Sequence, residues 1–176
     1  MAKFLIAGDL HGSAEYCRKL IDVFKRERAE KLLLLGDILY HGPRNPLPKE
    51  YNPSESAAML NSIKEKIICV RGNCDSEVDQ MVLNFPISSD YASVFADGVG
   101  IYLSHGHRAT PPLRQNDVYV TGHTHVPLKE NCGYIHLNPG SLSLPKDDSA
   151  HSCIIYENRV FRFVNLNGGE YDKIKI

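Results

Sequence analysis

The chain of 176 residues suits one domain and is too short for two comfortable ones. Its 43% hydrophobic and 23% charged residues and net charge of −1 are those of a soluble globular enzyme, and exclude bulk attraction to nucleic acid or an anionic membrane. Any phosphate it handles must be drawn by local charge, which points to a site and not to a surface.

The first apolar stretch, Lys3–Ala7, reads as a buried strand ending at Gly8-Asp9. It lacks the longer apolar core and cleavage site of a secretory signal. Ser13 is an N-cap for a helix whose buried face is Ala14, Cys17, Leu20, Ile21 and Phe24. Lys31–Leu35 is a second buried strand, ending at Gly36-Asp37. After a proline-rich loop, Asn52-Pro53-Ser54-Glu55 reads as an N-cap, a proline at N1 and a capping-box Glu, opening a helix that runs to about Ile63. Ile67–Val70 is a third strand, ending at Gly72-Asn73.

Strand–helix–strand order with short connections predicts right-handed crossovers and a parallel core. The second half is richer in strands. Val94–Ala96 and Ile101–Leu103 flank the hairpin signal Asp97-Gly98. Val118–Thr121, Tyr134–Leu137, Ser152–Tyr156 and Val160–Val164 follow, the last two joined across Glu157-Asn158. The expectation is a single α/β domain over residues 1–176, two sheets packed together with helices outside, and residues 168–176 loosely held. No run approaches the ~18 apolar residues that span a bilayer. The five cysteines (Cys17, Cys69, Cys74, Cys132, Cys153) contain no CxxC pair, so reduced thiols in a cytoplasm are expected.

Several of these strands end in glycine followed at once by a ligand-type residue: Gly8-Asp9, Gly36-Asp37, Gly72-Asn73 and Gly122-His123. In open α/β sheets ligands bind outside the carboxyl ends of strands, so four distant segments would deliver polar groups to one edge. Asp9-Leu10-His11 sets a carboxylate and an imidazole two residues apart; alone it is a weak signal and reads more readily as a helix-capping Asp. Gly122-His123-Thr124-His125 and His105-Gly106-His107 each place two imidazoles on one short segment. Together Asp9, His11, Asp37, Asn73, His105, His123 and His125 form a nitrogen–oxygen donor set without thiolate. Such a set suits first-row divalent ions, and a carboxylate bridging two of them makes a two-metal hydrolytic site.

This ordered series resembles the calcineurin-like metallophosphoesterase family over roughly Phe4 to Ser141. The words Asn73-Cys74-Asp75-Ser76 and His41-Gly42-Pro43-Arg44-Asn45 resemble its small single-domain bacterial phosphodiesterases. The resemblance implies an α/β sandwich of two mixed β-sheets flanked by α-helices. It also implies two divalent metal ions, manganese first, with zinc, iron, nickel or cobalt compatible. One ion would take Asp9, His11, Asp37 and His125; the other Asp37, Asn73, His105 and His123, with Asp37 bridging. A metal-bridging hydroxide would attack a small phosphodiester, with no strong nucleic-acid signal, no membrane and a homo-oligomer left open.

One position departs from the family pattern. Many members carry His after the Asn, where it serves the leaving oxygen, and this chain has Cys74. A thiol of ordinary pKa about 8.5 donates hydrogen bonds poorly, which favours diesters with good leaving groups over monoesters; a purely space-filling Cys74 is the competing reading. Catalytic candidates are thus Asp37, Asn73, Cys74, Asp75 and His107, with Asp75 anchoring Cys74 or a ligating His. Substrate candidates are His41, Arg44 and Asn73. Arg71 is either near the substrate or a structural ion-pair partner, and Asn138-Pro139-Gly140-Ser141 is a turn supporting the metal-bearing loops. The alternatives are a phosphomonoesterase or nucleotide hydrolase with the same site, or a catalytically weak protein-binding scaffold of the same fold.

Overall fold

The three apolar strands of the N-terminal half are apolar on both faces because both faces are covered. In the computed structural model, which describes residues 2–176 and leaves Met1 outside, β1 (Lys3–Ala7), β2 (Lys31–Leu34) and β3 (Ile67–Cys69) run parallel. Leu5, Ala7, Leu32 and Leu34 point toward the helices, where they meet Leu20 and Phe24. Ile6, Leu33 and Leu35 point the other way, into a second core shared with the other sheet. The period-2 alternation of strand side chains therefore builds two cores from one set of strands.

β9 (Ser152–Glu157), β10 (Val160–Asn165) and β11 (Glu170–Lys175) complete a six-stranded sheet of order β11-β10-β9-β1-β2-β3. The second sheet, β4-β5-β6-β8-β7, comprises β4 (Tyr91–Ala96), β5 (Val99–Ser104), β6 (Val118–Val120), β7 (Pro127–Asn131) and β8 (Ile135–Pro139). β5, β6 and β8 are parallel and the edges β4 and β7 antiparallel. Both sheets are mixed. Ile101, Leu103, Val118, Val120, Ile154, Tyr156, Phe161 and Phe163 fill the space between them.

Helix α1 (Ala14–Glu27) starts where Ser13 accepts from the Tyr16 N–H, and buries the predicted Cys17–Leu20–Ile21–Phe24 face. α2 (Pro53–Asn61) is capped by Asn52, which accepts from the Glu55 N–H at 3.2 Å. The expected capping box is not closed. The Asn52 N–H donates to the Gly12 carbonyl, and the Glu55 carboxylate accepts from the Asn52 side-chain amide instead. A 3₁₀ turn at Lys64–Lys66 follows. No helix among the described residues is long and apolar enough to cross a membrane.

Two further expectations change. Residues 168–176 are not loosely held, because β11 pairs antiparallel with β10 and tucks Ile174 and Ile176 against the inter-sheet core. The β9–β10 turn falls on Asn158-Arg159, one residue later than read, both at positive φ as a two-residue hairpin requires. Two elements were not foreseen. β7 is an exposed edge strand with a proline and charges, so it shows no alternation. α3 (Glu77–Val82) buries none of its residues and so has no inward apolar face, although Ser76 and Asp79 form a closed capping box.

Candidate metal centre

Both sheets deliver their parallel strand ends to one edge. Asp9 follows β1, Asp37 follows β2 and Asn73 follows β3; His105 follows β5 and His123 follows β6. The glycines before Asp37 and Asn73 permit the approach. A Cβ on Gly36 would lie 2.4 Å from the Gly72 nitrogen, and one on Gly72 would lie 2.1 Å from Asp37 Oδ1. Neither crossing tolerates a side chain.

Asp9, His11, Asp37, His123 and His125 all have φ between 51° and 71°. This left-handed region costs a non-glycine residue roughly 1–2 kcal/mol, and such strain gathers where function demands a side-chain direction. Three features hold these loops in place. Ser141 Oγ and Ser143 Oγ donate to the Asp9 carbonyl at 2.8 and 3.2 Å, and the Asn138 amide donates to the Gly122 carbonyl at 2.7 Å. The His123 N–H donates to Asp9 Oδ2 at 3.0 Å.

The imidazoles are oriented by backbone carbonyls. Nδ1 of His11, His105 and His125 lies 2.8, 2.7 and 2.7 Å from the carbonyls of Tyr40, Leu35 and Leu144. A carbonyl only accepts, so each Nδ1 carries a proton, and in the neutral ring a bare Nε2 lone pair is left facing inward. His11 Nε2 and His125 Nε2 are 3.2 Å apart, and Asp9 Oδ1 is 3.3 Å from His125 Nε2. Asp9 Oδ1 is buried with no hydrogen-bond partner. On the other side His105 Nε2 lies 3.0 Å from Asn73 Oδ1 and 3.2 Å from His123 Nδ1. Asp37 Oδ2 stands between the two halves, 3.7 Å from His11 Nε2 and 3.4 Å from His105 Nε2. Lone pairs converging with too few protons to share fit cations. Asp9–His11–His125 and Asp9–Asp37–His105 each have the compactness of a metal-binding group.

The electrostatics agree. Burial works against a charge on His105, but the hydrogen bond to Asp37 and the Asp9 and Asp37 carboxylates outweigh it and push the imidazole up to about 9. The carboxylates thus call for a positive charge and draw a proton onto His105, one that a bound cation would displace. Burial also works against the Asp37 carboxylate, yet His105 and the Cys74 N–H, which donates to Oδ1 at 2.8 Å, hold it well below the usual range. Burial lowers His11 and His123, keeping them neutral.

The other candidates divide. Cys74 is half-buried beside Asn73, whose amide approaches its Sγ at 3.4 Å. Burial and then the Asp37 carboxylate push its thiol up to about 12. Asp75 anchors neither Cys74 nor a histidine by its carboxylate: Oδ1 accepts from the Ile38 N–H at 2.8 Å and Oδ2 from the Asp37 and Gly72 N–H groups at 2.9 and 2.7 Å. His107 packs against His105 and His123, with ring centroids 5.4 and 6.2 Å away. Arg71 pairs with Glu77 at 3.0 Å.

A groove of about 490 Å³ opens over the cluster, lined by Asp37, Asn73, Cys74, His123 and His125 among others. Arg44 lines it, but His41 does not; its ring packs edge-on between Tyr40 and Tyr51. Sequence reading missed Thr124 and Lys146, which also line the groove. A lone Lys after a proline carries no sequence signal; only the fold brings it here, through its N–H donating to the His125 carbonyl at 3.2 Å.

Comparison with known proteins agrees with this geometry. The calcineurin-like phosphoesterase superfamily domain matches residues 2–159. Phosphodiesterase YfcE of Escherichia coli K12 is 45% identical over 172 residues, 95% of this chain and 94% of that protein. The solved structure of YfcE, described as an E. coli phosphoesterase, superposes with a TM-score of 0.95 at 40% identity, covering 99% of each chain. Vps29 of Entamoeba histolytica, solved with Zn²⁺, shares the fold at a TM-score of 0.66 and 19% identity, covering 98% of each chain.

Proposed function

The chain belongs to the calcineurin-like phosphoesterase superfamily and is a metal-dependent phosphoric diester hydrolase, and we propose that it works with two metal ions at the strand-end cluster. Asp9, His11, Asp37 and His125 would hold one ion; Asn73, His105 and His123, with Asp37 shared, the other. When bound, such a pair supplies positive charge for the phosphoryl oxygens and an acidified water as nucleophile, manganese being our first choice. The observation that carries this reading is the convergence of bare imidazole nitrogens on Asp9 and Asp37 in a buried cluster with too few protons to share.

This chain's own residues do the rest. Backbone carbonyls orient His11, His105 and His125 before any ligand binds, which limits reorganisation on binding. The Cys74 N–H keeps Asp37 Oδ1 occupied and leaves Oδ2 facing the histidines. On the groove wall Cys74 occupies the position beside the leaving group with a weak donor, which favours diesters whose leaving alkoxide or phenoxide needs no proton. The five unpaired cysteines support residence in a reducing compartment, the cytoplasm.

The test is a panel of bis(p-nitrophenyl) phosphate and p-nitrophenyl phosphate assayed with Mn²⁺, Zn²⁺, Ni²⁺ and Mg²⁺. Cleavage of the diester well above the monoester is expected. Failure to cleave either with any metal, in protein that binds metal, would move the reading to a protein-binding scaffold.

A further inference from the structure

The groove carries more positive charge than a plain diester needs. Of its eleven lining residues, Asp37 is the one acid, and it belongs to the metal cluster; Arg44 and Lys146 are the two cations. Neither cation is paired with a carboxylate among the described residues, unlike Arg71 of the adjoining hollow, which Glu77 engages, so both charges are available to a ligand in the groove. The chain as a whole has a net charge of −1, so this is local concentration and not a basic surface. A plain diester brings one negative charge, which the metal pair answers by itself.

The two cations sit on different walls. Arg44 belongs to the proline-rich loop after β2, and also lines an adjoining hollow with Tyr40, Arg71 and Cys74. Lys146 belongs to the loop before β9, tied to the Thr124–His125 side through the His125 carbonyl. That tie uses the Lys146 backbone and leaves the ammonium group free. A guanidinium fork and an ammonium point charge across one groove form a recurrent arrangement for phosphate oxygens.

We propose that Arg44 and Lys146 form a second anion-binding position, and that the preferred substrate is a phosphodiester bearing a further phosphate on the arm seated beside Lys146. The proposal rests on the phosphodiesterase reading above and names its substrate class. Three nitrophenyl diesters differing in the charge of that arm provide the test with the Mn²⁺-loaded full chain: p-nitrophenyl phosphorylcholine, thymidine 5′-(p-nitrophenyl phosphate) and its 3′-phosphate derivative. kcat/KM is expected to rise in that order. Lys146→Ala should cut the preference for the 3′-phosphate over the unphosphorylated substrate about tenfold, the scale of one charge-assisted contact. Lys146→Arg should retain it, and Lys146→Glu should shift preference toward the choline arm. Calorimetry gives an independent readout: thymidine 3′,5′-bisphosphate should bind more tightly than thymidine 5′-monophosphate to wild type, and by a smaller margin to Lys146→Ala. If all three diesters are cleaved but neither Lys146→Ala nor Arg44→Ala moves the ratio, the second anion position is refuted while the phosphodiesterase stands. If wild type cleaves none of them, the phosphodiesterase reading fails and takes this proposal with it.

Discussion

The Asp75 carboxylate accepts the backbone N–H of Asp37 at 2.9 Å, so one buried acid fixes the loop that carries another. Its remaining bonds go to Ile38 and Gly72, which fastens the end of β2 to the end of β3. Asp75 is therefore a positioning residue. Asp75→Asn replaces an acceptor oxygen with a donor facing an N–H, and is expected to cost roughly 2–4 kcal/mol. Urea unfolding reads that loss. Mn²⁺ affinity, measured against a competing chelator, should also weaken although every proposed ligand is present. Unchanged metal affinity would limit Asp75 to stability alone.

Asp37 stands between the two halves of the cluster through Oδ2. Asp37→Asn keeps the shape but removes the charge that the two proposed ions would share. Metal content per chain should fall from two toward one or none, and diester turnover should drop about a thousandfold or more. Two tightly held ions in the variant, with turnover kept, would refute a bridging role.

Gly72 offers a test that replaces no ligand. Its added Cβ would lie 2.1 Å from Asp37 Oδ1 and 2.3 Å from the Asp37 nitrogen, a backbone collision that a rotamer change cannot relieve. Gly72→Ala should displace Asp37, costing about 3 kcal/mol and reducing metal retention together. Wild-type metal binding in a folded Gly72→Ala protein would show that the β2–β3 crossing can open.

The strand ends were legible because an apolar run closed by glycine and a ligand-type residue is a local pattern: Gly8-Asp9 and Gly36-Asp37 show it without any long-range information. What remained hidden depends on distant chain. The tautomers of His11, His105 and His125 are set by the carbonyls of Tyr40, Leu35 and Leu144. The three bonds of Asp75 reach residues 38 and 37 positions away as well as nearby Gly72. His41 and Arg44 share one loop, and sequence alone could not say that tyrosine packing would turn only the first from the groove. α3 and β7 escaped because neither has the buried apolar face that periodicity detects.

Cys74 lines both the groove and the adjoining hollow, and its Sγ is the atom nearest a Cβ built on Gly42. Cys74→His places a proton donor where the leaving oxygen would depart. Activity on p-nitrophenyl phosphate relative to bis(p-nitrophenyl) phosphate should rise at least about tenfold, within the usual reach of general-acid assistance. An unchanged ratio in a metal-loaded variant would mean that Cys74 only fills space.

The buried thiols set an alkaline limit to the fold. Cys17, on the helix side of β1, and Cys153, in β9, are fully buried, and burial pushes both up to about 12. In the unfolded chain each would titrate near its ordinary value of about 8.5. The folded pKa is thus the higher one. The native state holds its thiol protons after the unfolded state has released them, so this stabilisation is complete below about pH 8.5 and is lost as pH rises toward 12. At pH 10.5 the loss amounts to about 2–3 kcal/mol for each thiol. Urea midpoints at pH 8 and 10.5 should therefore differ more for wild type than for Cys17→Ala/Cys153→Ala. The double variant starts lower because two buried sulfur atoms are gone, and Cys69 is the one core thiol left in it to ionise. Equal alkaline sensitivity in the two proteins would assign the loss to other groups: Cys69, which burial also pushes up, and Tyr156, whose phenol burial and its hydrogen bond to Asp97 push up to about 12.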